Sequence, residues 1–251
     1  MMAKFEPWIP RQFCLRHQTV LNSQAAEVYR LVCRTDFSAP GFCVLNCGSE
    51  FTSSQFRQRM LDLTKSLAVI HESTTGNSLG YLSAARFDQQ TTTKFHRDGG
   101  PEECFLMLGY EPSEVESEIQ IADYARCAFD LGISPQNFLT RHNPMFHSGQ
   151  TLLAPYVTRL SCFAPTDYQI VCINNLAAPF SREQPRWQGT LHTATILSPD
   201  DSRRRVINST MIGPLPLGIA PAISPEQLHG FVVTTEVRRQ GYDKRHLSDD
   251  Q

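Results

Sequence analysis

The chain lacks any hydrophobic run long enough to cross a membrane, and its start lacks the apolar segment of a secretory leader. No stretch approaches the roughly 18 apolar residues that a spanning helix needs. Residues 1–7 contain Lys4 and Glu6 and no apolar h-region before a cleavage site. We therefore expect a soluble protein of the cytoplasm with no membrane partner.

The chain also lacks an excess of charge of one sign. Lysine and arginine number 23 against 25 acidic residues, the formal net charge is -2 and the pI is about 6.4. Nucleic-acid-binding proteins usually carry a basic patch that shifts these values upwards. No nucleic-acid partner is predicted.

A Cys-x-x-Cys pair is the third absence. Eight cysteines are spread singly through the sequence, at positions 14, 33, 43, 47, 104, 127, 162 and 172. This spacing indicates neither a zinc knuckle nor a redox motif. Buried free thiols are the expected state.

The 251 residues, 41% of them hydrophobic, are enough for one domain with a full core. We expect a helical and strand-containing flank over 1–70, a β-rich core over 71–212 and an extension over 213–251. Apolar spacing predicts a helix from Asn22 or Ser23 to about residue 33 and a second over 53–67.

Short strands with turn residues between them are predicted over most of the remainder, which favours an antiparallel sandwich or barrel. Ser113 and Glu116 resemble a capping box, so residues 113–138 are predicted to be a helical insertion in the core. A turn over 198–202 is expected to join the last two strands as a hairpin. The predicted strands cover 41–48, 67–71, 79–87, 92–97, 105–108, 151–160, 169–174, 189–197 and 204–212.

His96 and Asp98 are the first candidate ligands. Residues two apart on an extended strand point to one face, so an imidazole and a carboxylate there can close on one ion. Gly99 and Gly100 follow and let the backbone turn sharply. The alternative is an ordinary strand end at the surface with a hydrogen-bonded histidine.

A third ligand has to come from elsewhere in the chain, and there are three candidates. His142 and His147 lie in a polar, loop-like segment, which favours solvated side chains. His192 instead lies near the start of a predicted strand, which makes it the best candidate.

Three consecutive arginines enter the last predicted strand. Arg203 and Arg205 share a face with Ile207, Ser209 and Met211 because side chains alternate along a strand. A guanidinium on that apolar face would be costly without a partner, and its forked geometry suits a carboxylate. The alternative is that all three arginines point into solvent.

The combination of His96-x-Asp98, then His192, then an arginine 11 to 13 residues later resembles the iron(II)/2-oxoglutarate-dependent oxygenases, including the phytanoyl and prolyl hydroxylases. The resemblance extends in order from about residue 79 to 212. It implies a double-stranded β-helix, also called a jelly roll and similar to the cupins, with iron at one mouth.

Under this resemblance His96, Asp98 and His192 bind Fe(2+) as a facial triad, and Arg205 or Arg203 pairs with 2-oxoglutarate. Molecular oxygen would then hydroxylate a small molecule or a protein side chain, giving succinate and carbon dioxide. Asn174 and Asn175 are candidates for lining the same mouth. Two alternatives stay open, namely a cupin-like protein with another metal and a jelly-roll binding module without chemistry.

Overall fold

The computed structural model of the chain describes residues 7–17, 19–160 and 164–240. Two β-sheets and six α-helices make up the described part, with a short 3₁₀ turn over Ala154–Tyr156. The strands are β1 (Gln12–Cys14), β2 (Phe42–Gly48), β3 (Ser78–Gln89), β4 (Phe105–Tyr110), β5 (Ser117–Ala122), β6 (Val157–Leu160), β7 (Tyr168–Asn174), β8 (Leu191–Ile196), β9 (Val206–Leu215) and β10 (Arg238–Gln240). The helices are α1 (Leu21–Val32), α2 (Ser53–Thr75), α3 (Tyr124–Asp130), α4 (Pro135–Arg141), α5 (His147–Leu153) and α6 (Pro225–Val233).

The larger sheet has seven strands in the order β1-β2-β7-β4-β9-β3-β10, and the smaller has three in the order β6-β5-β8. Pairing is antiparallel except at the two edges of the larger sheet, where β1 runs parallel to β2 and β10 runs parallel to β3. The predicted β-rich core with flanking helices is confirmed, whereas the double-stranded β-helix stays a prediction.

The central strands of the larger sheet bury both faces, because alternate side chains enter different clusters. One cluster lies under α1, α2 and α6, and we call this side the helix face. The other lies against the smaller sheet, and we call this side the site face. Helix-face side chains include Cys43, Leu45, Phe105, Met107, Ile170, Cys172 and Ile212. Site-face side chains include Phe42, Val44, Leu106, Leu108, Val171, Ile173, Ile207 and Met211.

Helix α2 is longer than the sequence predicts. Thr52 and Gln55 form a capping box at its start, and Gly76, with φ of 74°, ends it in the left-handed conformation. The predicted strand over 67–71 is wrong, because Leu67 and His71 continue the buried spacing of four inside this helix. The predicted first helix is confirmed, although it begins at Leu21 after Val20 and no side chain caps it.

The segment 113–138 is not helical throughout. Residues 117–122 form the central strand of the smaller sheet, with Ile119 and Ile121 buried at alternate positions. Helix α3 begins only after Asp123, whose carboxylate accepts a hydrogen bond from the Arg126 amide. Three short helices, α3, α4 and α5, then form a third apolar cluster with Leu191.

Three further expectations differ from the structure. Residues 92–97 contribute one isolated bridge rather than a strand, and residues 151–153 belong to α5. The predicted hairpin at 198–202 is wrong because β8 and β9 lie in different sheets. The extension beyond 213 adds α6 and an edge strand along β3.

Among the described residues, no helix is both long and apolar enough to cross a membrane. Six of the seven cysteines in the described ranges are buried, as predicted, and Cys14 is exposed. Cys162 lies outside those ranges.

Candidate metal centre

His96 and His192 are brought together by backbone hydrogen bonds, although 96 residues separate them in sequence. His192 is the second residue of β8, and His96 lies in the connection between β3 and β4. The amide of each donates to the carbonyl of the other, at 3.1 Å in both directions. Such a closely bonded antiparallel pair places the two side chains on the same side of the backbone.

Asp98 completes a group of three. One candidate ligand atom from each of His96, Asp98 and His192 lies within 4.8 Å of the others. The Asp98 Oδ1 atom is 3.4 Å from His96 Nε2 and 3.9 Å from His192 Nε2. The imidazole centroids are 4.3 Å apart. The structure thus assembles all three residues that the sequence analysis singled out.

The surroundings of His96 favour one tautomer. Its Nδ1 atom lies 2.7 Å from the Lys94 carbonyl oxygen, and a carbonyl can only accept, so Nδ1 carries the proton. The Nε2 atom faces the Asp98 carboxylate, so it is the nitrogen that would bind a metal, with Nδ1 held by a carbonyl as is usual for a ligating histidine. The Nδ1 atom of His192 is buried and has no hydrogen-bond partner within the described residues.

The three groups influence one another's protonation. Burial lowers the pKa of His192 to about 4, and the nearby His96 acts in the same direction. Burial alone would lower the pKa of His96, but the hydrogen bonds to Asp98 and to the Lys94 carbonyl raise it above the usual value. The pKa of Asp98 is lowered, because the hydrogen bond from His96 and the adjacent positive charges outweigh its burial. At neutral pH this combination gives a carboxylate beside a neutral His192, as metal binding needs, whereas His96 would have to release a proton when its Nε2 binds a metal.

A cavity of about 310 Å³ opens next to the three residues. Its walls come from both sheets and are largely apolar, with a few hydroxyl and amide groups. Besides His96, Asp98 and His192, the lining consists of Phe87, Gln89, Thr93, Leu108, Tyr110, Ala194, Ile207 and Ser209.

Arg205 is buried between the two sheets, with 2% of its surface exposed. Its Nε donates to Ser117 Oγ at 2.9 Å, and its Nη1 donates to the carbonyl and side-chain oxygens of Gln89 at 3.1 Å each. Its Cζ atom lies 5.1 Å from the centroid of the Tyr110 ring, and Gln89 and Tyr110 also line the cavity beside the histidines. The Nη2 group is buried. Burial lowers the pKa of Arg205, and a hydrogen bond with the Tyr110 hydroxyl opposes this larger effect.

The other candidates from the sequence lie elsewhere. Arg203 is about half exposed and forms ion pairs with Glu114 and Asp200. His142 follows the end of α4 and His147 begins α5, and neither belongs to the group around Asp98. Of the two arginines, only Arg205 borders the interior between the sheets.

Sequence reasoning missed Gln89, Tyr110 and Ser117, which hold the Arg205 side chain. Tyr110 lies on the same face of β4 as Leu106 and Leu108, because the three residues are spaced by two. This alternation in the sequence could have placed Tyr110 on the site face. Ser117 could not be found because its segment was predicted to be a helix.

The residues present fit iron and 2-oxoglutarate. Two imidazoles and one carboxylate are the donor set of non-haem iron(II) oxygenases. The buried Arg205 guanidinium donates to neutral oxygens, so its charge suits an anionic acceptor, and a carboxylate matches its geometry.

No protein-family model and no curated protein matches the sequence. Among solved structures, a taurine dioxygenase from Burkholderia xenovorans is similar at 11% identity, over 90% of this chain and 97% of that one, with a TM-score of 0.43. An iron and alpha-ketoglutarate-dependent endoperoxidase, NvfI, shares 14% identity over 69% and 78% of the two chains, with a TM-score of 0.35.

A third similar structure is SnoN, a non-heme alpha-ketoglutarate-dependent epimerase from nogalamycin biosynthesis, at 14% identity over 80% and 78% of the two chains, with a TM-score of 0.33.

Proposed function

We propose that the protein is a non-haem iron(II), 2-oxoglutarate-dependent oxygenase. The observation that carries the proposal is the group formed by His96, Asp98 and His192, whose ligand atoms lie within 4.8 Å of one another at the edge of one cavity. The two sheets around that cavity would then be the two halves of a double-stranded β-helix.

In this proposal His96 Nε2, the Asp98 carboxylate and an imidazole nitrogen of His192 hold iron(II), and Arg205 holds the distal carboxylate of 2-oxoglutarate. Arg205 is the better candidate than Arg203 because its buried guanidinium donates to the neutral oxygens of Ser117 and Gln89, whereas Arg203 is half exposed and already has two acidic partners. When bound, iron and 2-oxoglutarate supply the oxidation of a C–H bond by molecular oxygen, with succinate and carbon dioxide as co-products.

The cavity also limits the substrate. Apart from the three proposed ligands, its lining contains no charged side chain, and a buried charge without a partner is costly. The part of the substrate that approaches the metal is therefore uncharged. A volume of about 310 Å³ is at the lower end for a ligand site, so it suits the reacting portion of a small molecule or a protein side chain and the metal-binding end of the cosubstrate. Arg205 lines a neighbouring cavity that shares Tyr110 with this one, and the distal carboxylate of the cosubstrate would lie there.

Calorimetric titration of 2-oxoglutarate into anaerobic protein loaded with iron(II) tests the proposal. Wild-type protein should show saturable binding that His96→Ala abolishes. Arg205→Ala should weaken it by about 2–5 kcal/mol, because one partner of a buried charged pair is removed. Arg203→Ala is the matched control, since it removes a guanidinium two residues away that is exposed and paired with Glu114 and Asp200.

An equal loss in the two arginine variants would contradict the assignment of Arg205. Wild-type protein that binds iron but not 2-oxoglutarate would favour a cupin-like metalloprotein, and protein that binds neither would favour a binding module. Formation of succinate from 2-oxoglutarate by the loaded wild-type protein, absent in His96→Ala, would establish the reaction class.

A further inference from the structure

Asn175 is in contact with the backbone of Asp98. It follows β7 directly and is fully buried. Its side-chain Oδ1 accepts a hydrogen bond from the Asp98 amide at 3.1 Å, and its Nδ2 donates to the Asp98 carbonyl at 2.9 Å. The amide side chain therefore pairs with Asp98 as a neighbouring strand would.

The backbone of Asn175 is fixed as well. Its amide donates to the Cys104 carbonyl at 3.0 Å, which extends the pairing of β7 with β4 by one residue. Its carbonyl accepts from Arg97 Nε at 2.7 Å. One residue at the end of a central strand is thus bonded to the two residues 97 and 98 of the metal-binding segment.

The sequence around Asp98 shows why such a contact matters. Gly99 and Gly100 follow, and glycine gives the backbone more freedom than any other residue. Asp98 is the only one of the three proposed ligands outside the His96–His192 backbone bridge. Its carboxylate can stay 3.4 Å from His96 Nε2 only if its backbone is held by something else.

We infer that Asn175 is a positioning residue that holds the Asp98 carboxylate in place for the metal. This inference rests on the proposed metal centre. Asn175 does not ligate the ion, and its effect passes through the Asp98 backbone. Loss of such an outer contact typically weakens metal binding by about 10- to 100-fold.

Asn174 provides a matched control. It is the preceding residue, is the same amino acid and is equally buried. Its side chain, however, points to the helix face, where it donates to the Val32 carbonyl at 2.8 Å and accepts from the Leu176 amide at 3.1 Å. Both residues therefore contribute buried hydrogen bonds, but only the side chain of Asn175 reaches the metal-binding segment.

The test is titration of the full-length, metal-free protein with Co2+, followed by visible absorbance, together with thermal unfolding of each metal-free variant. We expect Asn175→Ala and Asn174→Ala to lower the melting temperature similarly. Only Asn175→Ala should raise the Kd for Co2+, by about 10- to 100-fold, and Asn174→Ala should leave it within about twofold. Equal changes in Kd for the two variants, or no change in either, would overturn the inference.

Asn175→Asp is a second variant that keeps the volume and the acceptor for the Asp98 amide but loses the donor to the Asp98 carbonyl. An added negative charge near a cation should by itself tighten binding, whereas loss of positioning should weaken it. Weaker binding of Co2+ supports the positioning role, and tighter binding contradicts it. Wild-type protein that binds no Co2+ would contradict the proposed metal centre. If wild type binds Co2+ and the Asn175 variants bind it with the same Kd, only the role of Asn175 is contradicted.

Discussion

The two faces of the seven-stranded sheet are built from the same strands but are filled differently. On the helix face, side chains of α2 such as Phe56 and Met60 are fully buried, and they approach the sheet so closely that Gly109 has no room for a side chain. On the site face, the smaller sheet leaves a cavity of about 310 Å³ that contains the buried His192.

Alternation of side chains along a strand can therefore separate stability from chemistry within a single element. Asn174 and Asn175 show this at the end of β7. The Asn174 side chain is hydrogen-bonded to the end of α1, and the Asn175 side chain is hydrogen-bonded to the metal-binding segment. Substitutions on the helix face should therefore change the free energy of unfolding, and those on the site face should change ligand binding.

The largest change in stability is expected for Phe56→Ala on the helix face. Removing a fully buried phenylalanine should cost about 3–5 kcal/mol of unfolding free energy, measured by urea denaturation. The Kd for Co2+ of the folded fraction should stay within about twofold of wild type. Phe146→Ala, at a side chain that is 67% exposed, is the control and should stay within about 0.5 kcal/mol.

The next largest change is expected for Glu111→Gln, because Glu111 joins the helix face through an ionic network. Its carboxylate accepts hydrogen bonds from Arg86, Ser53 and Asn208, with Arg57 at 3.4 Å. Glutamine leaves two nearly buried guanidinium groups without a counter-charge, which should cost about 3 kcal/mol at neutral pH.

This cost should depend on pH. The pKa of Glu111 is lowered, because these hydrogen bonds and the charge of Arg86 outweigh the opposing and largest single effect, burial. A carboxyl group with a lowered folded-state pKa stabilises the protein above its unfolded pKa, near 4.5, and this stabilisation is lost as the pH falls through the folded value. Urea denaturation should therefore show wild type and Glu111→Gln converging below that pH, and a constant difference would contradict the assignment.

A smaller loss is expected when a methyl group is added on the helix face. A Cβ at Gly109 would lie 2.5 Å from Met60 Sδ and 2.8 Å from Phe56 Cε1. Gly109→Ala should thus cost about 1–3 kcal/mol through overpacking, again measured by denaturation. No loss would mean that the helix face is less tightly filled than described.

The smallest loss of stability is expected when a larger side chain enters the site face. Ala194 is two residues after His192 on β8 and lines the cavity, so leucine has space there. Ala194→Leu should change the unfolding free energy by less than about 1 kcal/mol but should weaken 2-oxoglutarate binding at least about tenfold. A stability loss as large as that of Gly109→Ala, with normal binding, would remove the contrast between the faces.

The sequence was sufficient to find helices and strands whose apolar period was clear. The stripe of Phe56, Met60 and Leu63 predicted α2, and buried runs predicted β2, β4 and β7. The strand β5 was missed because Ile119 and Ala122 also have helical spacing and a capping-like pair precedes them, although Ile119 and Ile121 alternate as a strand requires.

Strand pairing was harder to predict, since it depends on contacts that are distant in sequence. A turn between β8 and β9 suggested a hairpin, but Gln90 binds this connection by accepting from the Asp200 amide and donating to the Asp200 and Arg203 carbonyls. The sequence indicated His96, Asp98 and His192 as one group of candidate ligands, and their roles as ligands stay a prediction. It left Arg203 and Arg205 equivalent, because the predicted strand began at residue 204, whereas β9 begins only at Val206 and Arg203 lies in the bend before it.

The mutual backbone bonds between His96 and His192 have a consequence for how the site opens. Each of these amides can exchange its hydrogen with solvent only when its hydrogen bond to the other residue breaks. Deuterium uptake at these two positions would therefore report separation of the imidazoles directly. Since both bonds join backbone atoms only, the two amides should already exchange slowly in the metal-free protein, and added Co2+ should slow both of them to the same extent.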